Sequence, residues 1–233
     1  MPDRSSSARA PTRGLTLGVD VILFTPRAHE LAVLLTPVGT GRAHAKEKWS
    51  LPSEPLIAEE SLDDAAARIA RDALGVAPSF LDQAGALGGG RRQADGALPQ
   101  VTVAYFGLVP DVGGATRRGA EWFGMSELPA LGTRQHEEID ASVAAMRARV
   151  DQQPIAFRLL SPAFTLSELQ AVYELLLGRR LHKASFRRSL HAAAIVEATD
   201  EWRSEGRGRP AQLFRYAPPR RRRQRRGVRF DLL

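Results

Sequence analysis

Apolar positions along the chain follow two rhythms, and the changes between them mark the elements. Leu17–Phe24 and Leu31–Leu35 are dense in Val, Ile and Leu, and a polar turn from Pro26 to Glu30 separates them, so they predict two strands. Gln100–Pro110 predicts a third strand and Glu121–Phe123 a short one. Polar stretches holding Gly39 and Gly41, and later Gly88–Gly90 and Gly96, predict loops. A helical rhythm starts after Ser61, an N-cap residue with Asp64 as its expected capping-box partner. The alanine-rich run Asp63–Leu74 carries that helix and Gly75 ends it. In His136–Val150, Ile139, Val143, Met146 and Val150 recur at spacings of four, three and four, which draws one apolar stripe on a helix leaving the first domain.

Pro154 and Pro162 bracket a connector, after which the texture changes. Thr165 and Glu168 form a capping box, Leu166, Leu169, Val172, Tyr173, Leu176 and Leu177 line a buried face, and Gly178 stops the helix. A second helix follows over Lys183–Ala194 with Phe186, Leu190 and Ala193 inward. An extended piece at Ile195–Thr199, the loop SEGRGRP and a strand AQLFRYA complete the plan of a winged helix-turn-helix.

The expected fold class is therefore α+β. The expected organisation is a flexible tail (1–13), a first domain (14–135), a linker helix and connector (136–162), a winged helix-turn-helix (163–217) and a disordered basic tail (218–233).

Charge sharpens this picture. Residues 1–150 hold 16 basic and 18 acidic residues, a net of −2, whereas residues 151–233 hold 17 and 8, a net of +9. The positive excess in the last third points to a polyanion partner, nucleic acid or an anionic membrane face, or else reflects an arginine-rich composition. With Phe186 and Leu190 inward, Lys183 and Arg187 share an outer stripe that Ser185 and Arg188 flank. Arg207 and Arg209 alternate with Gly206, Gly208 and Pro210 on the expected wing. Arginine can take guanine bidentately in the major groove, and Lys or Ser can hold phosphate. These six residues are the candidate DNA contacts. The run Arg220–Arg226 either adds salt-sensitive, sequence-blind affinity or plays no part.

Cysteine is absent, which excludes disulfides and Cys-based metal sites and fits a cytoplasmic location. No apolar run approaches the roughly 20 residues that span a bilayer, so no membrane-spanning segment is expected; with the basic third set against DNA, no membrane partner is expected either. The polar start MPDRSSSARAPTRG is expected to be a tail rather than a secretory signal.

The loop and helix Leu51–Val76 resemble the Nudix box. Glu60, Arg68, Ala70, Gly75 and Val76 fall on matching places, and Lys48–Pro52 reads like the lead-in. The departures are specific: Glu54 replaces the starting glycine, and the three helical glutamate positions read Ile69, Asp72 and Ala73. Magnesium needs oxygen ligands in near-octahedral array, and Ile and Ala supply none. No metal, no cofactor and no catalytic residue is therefore expected. Glu60, Asp63 and Asp64 also share helical spacing, but negative charge at a helix start is favoured by the backbone dipole alone. His44, Lys46 and Lys48, in the loop before the box, are candidate phosphate contacts, or simply solvated charges.

The segment from FTLSELQ through FRR, the GRGRPA turn and LFRY, placed after such a domain, resembles the Nudix-related transcriptional regulators of the NrtR family. The likeness covers nearly the whole chain apart from both tails. It implies a Nudix-like α/β/α sandwich with a mixed sheet, catalytically decayed, followed by a winged helix-turn-helix. It also implies a homodimer on a palindromic double-stranded operator, an effector such as ADP-ribose that weakens DNA binding, and repression of genes of NAD metabolism. Two other readings stay open: a hydrolase of a nucleoside diphosphate derivative using an unusual carboxylate set, and an RNA-binding module.

Overall fold

Strand β1 (Thr16–Arg27) runs through the middle of a mixed sheet and is apolar on both faces because both faces are covered. The computed structural model describes residues 16–27, 29–38, 48–88, 100–110, 116–150, 152–204 and 210–218. Along one edge β1 pairs in parallel with β6 (Gln100–Leu108), from Thr16 opposite Gln100 to Phe24 opposite Leu108. Its other edge is shared. The first half pairs with β4 (Ser53–Pro55) and the second with β2 (Glu30–Pro37), both antiparallel. Two short strands, β3 (Trp49–Ser50) and β7 (Glu121–Gly124), extend β2, and β5 (Phe80–Gly88) closes the far side against β6.

Alternation sorts the side chains of β1. Val19, Val21 and Leu23 face α1 (Leu62–Leu74), while Ile22 and Phe24 face α2 (Thr133–Val150). The second apolar cluster does not stop at the sheet. It continues from Ile22, Phe24 and Phe106 through Ile139, Met146 and Val150 into Leu169, Tyr173, Phe186 and Leu190. The C-terminal part holds a short 3-10 turn (Ile155–Leu159), α3 (Leu166–Leu177), α4 (Lys183–Ala193) and the antiparallel pair β8 (Val196–Arg203) and β9 (Ala211–Tyr216). A bridge between Phe164 and Phe214 fastens β9 to the start of α3.

Several boundaries differ from the sequence expectation. β1 runs on to Arg27 and takes in Pro26, so the turn is tighter than the span Pro26–Glu30. Helix α2 begins at Thr133 rather than His136, α4 ends at Ala193, and β8 continues past Thr199 to Arg203 because β9 supplies its partner. Ala194 caps α4 in the left-handed region, at φ 49°. Strand β5 is absent from the pattern reading altogether. FLDQAGALG has no β-branched residue, and its extended form depends on β6, to which it pairs with a bulge between Gln83 and Gly85. The Thr165 capping box forms in full. The Ser61 box forms by half: Ser61 Oγ accepts from the Asp64 N–H at 3.1 Å, but the Asp64 carboxylate takes the Ser61 hydroxyl at 2.6 Å instead of reaching back to the backbone. With its carboxylate taken by the Ser61 hydroxyl, Asp64 leaves the reciprocal bond of the box unmade.

Candidate functional site

Helix α1 buries the face made by Ala65, Ala66, Ile69, Ala70, Ala73 and Leu74 against Val19, Val21, Leu23, Val103 and Tyr105. Ile69 and Ala73 are each 3% exposed and belong to this core, so two of the three box positions point into packed hydrocarbon. Asp72 stands at the rim. The three box positions thus divide between core and surface.

Five carboxylates near this helix, Glu54, Glu60, Asp63, Asp64 and Asp72, are already engaged. Arg68 is the hub: its Nε and Nη2 donate to the two oxygens of Glu60, each at 2.9 Å, and its Nη1 donates to Glu54. The bidentate pair holds the Glu60 carboxyl below its ordinary range, and the same bond, with Glu54, raises the guanidinium's already high value. Arg118 adds a second cation. It reaches Glu54 Oε1 at 3.3 Å and Asp72 Oδ2 at 3.2 Å. Asp63 accepts the Tyr105 hydroxyl at 2.6 Å, and burial together with that carboxylate pushes the phenol upward. Glu60, Asp63 and Asp64, which share helical spacing, therefore face three different partners: Arg68, Tyr105 and Ser61. A hard divalent ion needs free oxygens converging on one point. The residues present do not fit it, and among the described residues no group of three His, Cys, Asp or Glu is gathered to hold a metal.

Sequence reading missed Arg118. The signal was the pair Arg117–Arg118 followed by Gly119, a turn just ahead of the expected strand at Glu121. It also missed a buried polar group under α2. Asp20 on β1 and Glu138 on α2 are 1% and 0% exposed, and Arg134 joins them, at 3.2 Å to each. Burial, then the Asp20 charge, pushes the Glu138 carboxyl up to about 8, against the pull of Arg134. The legible clue was Asp20, the one charged residue in the apolar run Leu17–Phe24.

Of the candidate phosphate contacts, His44 and Lys46 lie outside the described residues. Lys48 is exposed beside β3, and its carbonyl accepts from the Val38 N–H at 2.9 Å. Two clefts lie elsewhere. One of about 550 Å³ sits between the β1–β2 turn and β7. Another of about 440 Å³ is bounded by Glu30, Val143, Arg147 and Leu175, where that turn meets α2 and α3.

The basic helix has a clear division. Phe186 and Leu190 are each 1% exposed, and Phe186 lies edge-on to Tyr173 with ring centres 5.6 Å apart. Lys183, Ser185, Arg187 and Arg188 are all exposed. None of these three cations has an ion pair among the described residues. Arg207 and Arg209 lie outside the described residues, but the base of the hairpin is fixed. Arg203 donates to Glu168 Oε1 at 2.6 Å and to the Ala163 carbonyl at 3.2 Å. Trp202, beside it, is 58% exposed. No helix among the described residues is long and apolar enough to cross a membrane.

These features can be set beside known proteins. Residues 156–216 match the model of the NrtR DNA-binding winged helix domain. The chain is 29% identical over 207 residues to the ADPR responsive transcriptional repressor NtrR of Acinetobacter baylyi, covering 85% of this chain and 81% of that protein. It is 30% identical to Shewanella oneidensis NrtR, whose crystal structure with a 27mer DNA superposes with a TM-score of 0.71 over 87% of this chain and 94% of the other. A MutT/nudix family protein from Enterococcus faecalis, 18% identical, shares the fold with a TM-score of 0.65 over 90% of this chain and 89% of that one.

Proposed function

We propose a function from one premise: the chain belongs to the NrtR family of Nudix-related transcriptional regulators. It acts as a DNA-binding repressor whose first domain, residues 14–135, senses ADP-ribose or a close relative without hydrolysing it. Residues 163–217 hold double-stranded DNA, and residues 136–162 join the two. Two copies bind a palindromic operator, and the genes controlled belong to NAD metabolism.

The observation that carries this reading is the division of α4. One face is locked into the core by Phe186 and Leu190, and the other offers Lys183, Ser185, Arg187 and Arg188 to solvent. A helix presented this way can enter a major groove, where Arg reads guanine and Lys holds phosphate. The absence of hydrolysis is supported by Ile69 and Ala73. Both are buried where carboxylates would be needed, so a bound metal has no ligand set to polarise phosphate or activate water. Coupling is supported by the single apolar cluster running from the sheet through α2 to α3 and α4, which lets a shift of α2 reach the DNA-binding face.

Fluorescence anisotropy with the duplex upstream of the chain's own gene tests the reading. Tight, salt-sensitive binding, weakened by ADP-ribose and absent for matched RNA, is the expected result. Release of AMP from ADP-ribose at an ordinary enzymatic rate, lost on Asp72→Ala or Glu60→Ala, would replace the sensor with a hydrolase.

A further inference from the structure

We propose that Arg118 is a tethered substitute for the divalent cation of the Nudix site: a guanidinium built into the chain that makes the first domain independent of metal. The inference rests on reading that domain as a former metal site, and it concerns how the site is kept together once the metal is lost.

Three observations carry it. Arg118 spans the two ends of the box, pairing with Glu54 Oε1 at 3.3 Å on the loop and Asp72 Oδ2 at 3.2 Å on the helix. Those are the position of the box's starting glycine and the one helical box position that still carries oxygen. Second, its backbone is held for the purpose. Arg118 sits at φ 55°, in the left-handed region that non-glycine residues avoid, so the surroundings must impose it. They do: the Arg117 N–H donates to the Ala73 carbonyl of α1 at 2.8 Å, the Ala120 N–H donates to the Arg117 carbonyl at 2.9 Å, and Gly119 follows at φ 73°. The turn is docked on the very helix whose rim its tip then grips. Third, the charges leave the cluster short of cations. Glu54, Glu60 and Asp72 face Arg68 and Arg118, a formal net of −1. Without Arg118 the net is −2, with Asp72 and one oxygen of Glu54 uncovered. That combination draws a divalent ion, and Arg118 pre-empts it.

The test is a manganese titration of the full-length protein, reading free Mn²⁺ by its solution EPR signal. The native chain is expected to leave the signal unchanged up to millimolar Mn²⁺, and its melting temperature should be the same in EDTA and in Mg²⁺. Arg118→Gln should bind Mn²⁺ about tenfold or more tightly than the native chain, since a nearby positive charge is gone from a partly exposed site. Arg118→Lys, which keeps the charge, should still exclude it, and adding Asp72→Asn to Arg118→Gln should abolish the gain. Micromolar Mn²⁺ uptake by the native chain would overturn the proposal. So would a folded Arg118→Gln protein with no gain, or an Arg118→Lys protein that binds like Arg118→Gln. If Arg118→Gln does not fold, the native and Arg118→Lys titrations decide. Because DNA release by ADP-ribose is read separately, the metal titration and the regulatory reading can fail independently.

Discussion

Glu168 serves two elements with one carboxylate. Its Oε2 accepts the Thr165 N–H at 2.6 Å and closes the cap of α3, while its Oε1 receives Arg203 from the base of the β8–β9 hairpin at 2.6 Å. The cap and the seat of the hairpin therefore fall together. Glu168→Ala is expected to lower stability by about 1–2 kcal/mol, mostly through the cap, because the ion pair is more than a third exposed and contributes little. Thermal unfolding by circular dichroism measures it, at about 2–4 °C of melting temperature per kcal/mol for a chain of this size. Glu168→Gln should recover most of the loss.

The two faces of α4 should separate stability from DNA binding. Phe186→Ala leaves a cavity beside Tyr173 and is expected to cost about 3–5 kcal/mol of stability. Arg187→Ala, on the solvent side, should change stability by no more than about 0.5 kcal/mol but weaken specific DNA binding by about 1–3 kcal/mol. Urea melts and operator anisotropy on both variants check the contrast. A Phe186→Ala protein as stable as the native chain would contradict the packing described.

Lys183 is exposed at the first residue of α4 and is suited to a phosphate. Lys183→Ala should weaken operator and non-operator duplexes alike. It should also reduce the slope of log affinity against log salt by about 1, because one fewer counterion is released.

Restoring the box by sequence should not restore a site. In Ile69→Glu with Ala73→Glu, both new carboxylates enter the core formed with Val21 and Leu23. Burying charge there costs several kcal/mol. The double variant is expected to melt well below the native chain in Mg²⁺ and to release no AMP from ADP-ribose. A stable, active double variant would show that this face can open.

Glu138 should make stability depend on pH. Its carboxyl is raised by burial and by Asp20, so the folded chain holds this proton to higher pH than the unfolded chain does. Folding then binds a proton in the interval above the ordinary value of 4.5, and stability falls as pH rises through it toward about 8. The contribution is fully present below that interval. Glu138→Gln, which mimics the protonated acid, should flatten the fall. Denaturant midpoints from pH 5 to 9 compare the two.

What the sequence determined by itself is local. The caps at Ser61 and Thr165, the stops at Gly75 and Gly178, the strand β1 and the inward positions Phe186 and Leu190 all follow from chemistry within a few residues, so pattern and propensity suffice to find them. The box departures at Ile69 and Ala73 were legible for the same reason, since a side chain without oxygen cannot bind a hard ion wherever it lies. Only the tertiary structure decided that β5 is a strand, because its own residues do not favour one and β6 supplies the hydrogen bonds. It alone joined Arg118 to Glu54, 64 positions away in the chain, and Arg134 to Asp20, 114 away. Such pairings depend on where chain closure brings two charges and how much water is left between them, and neither is encoded in any short stretch.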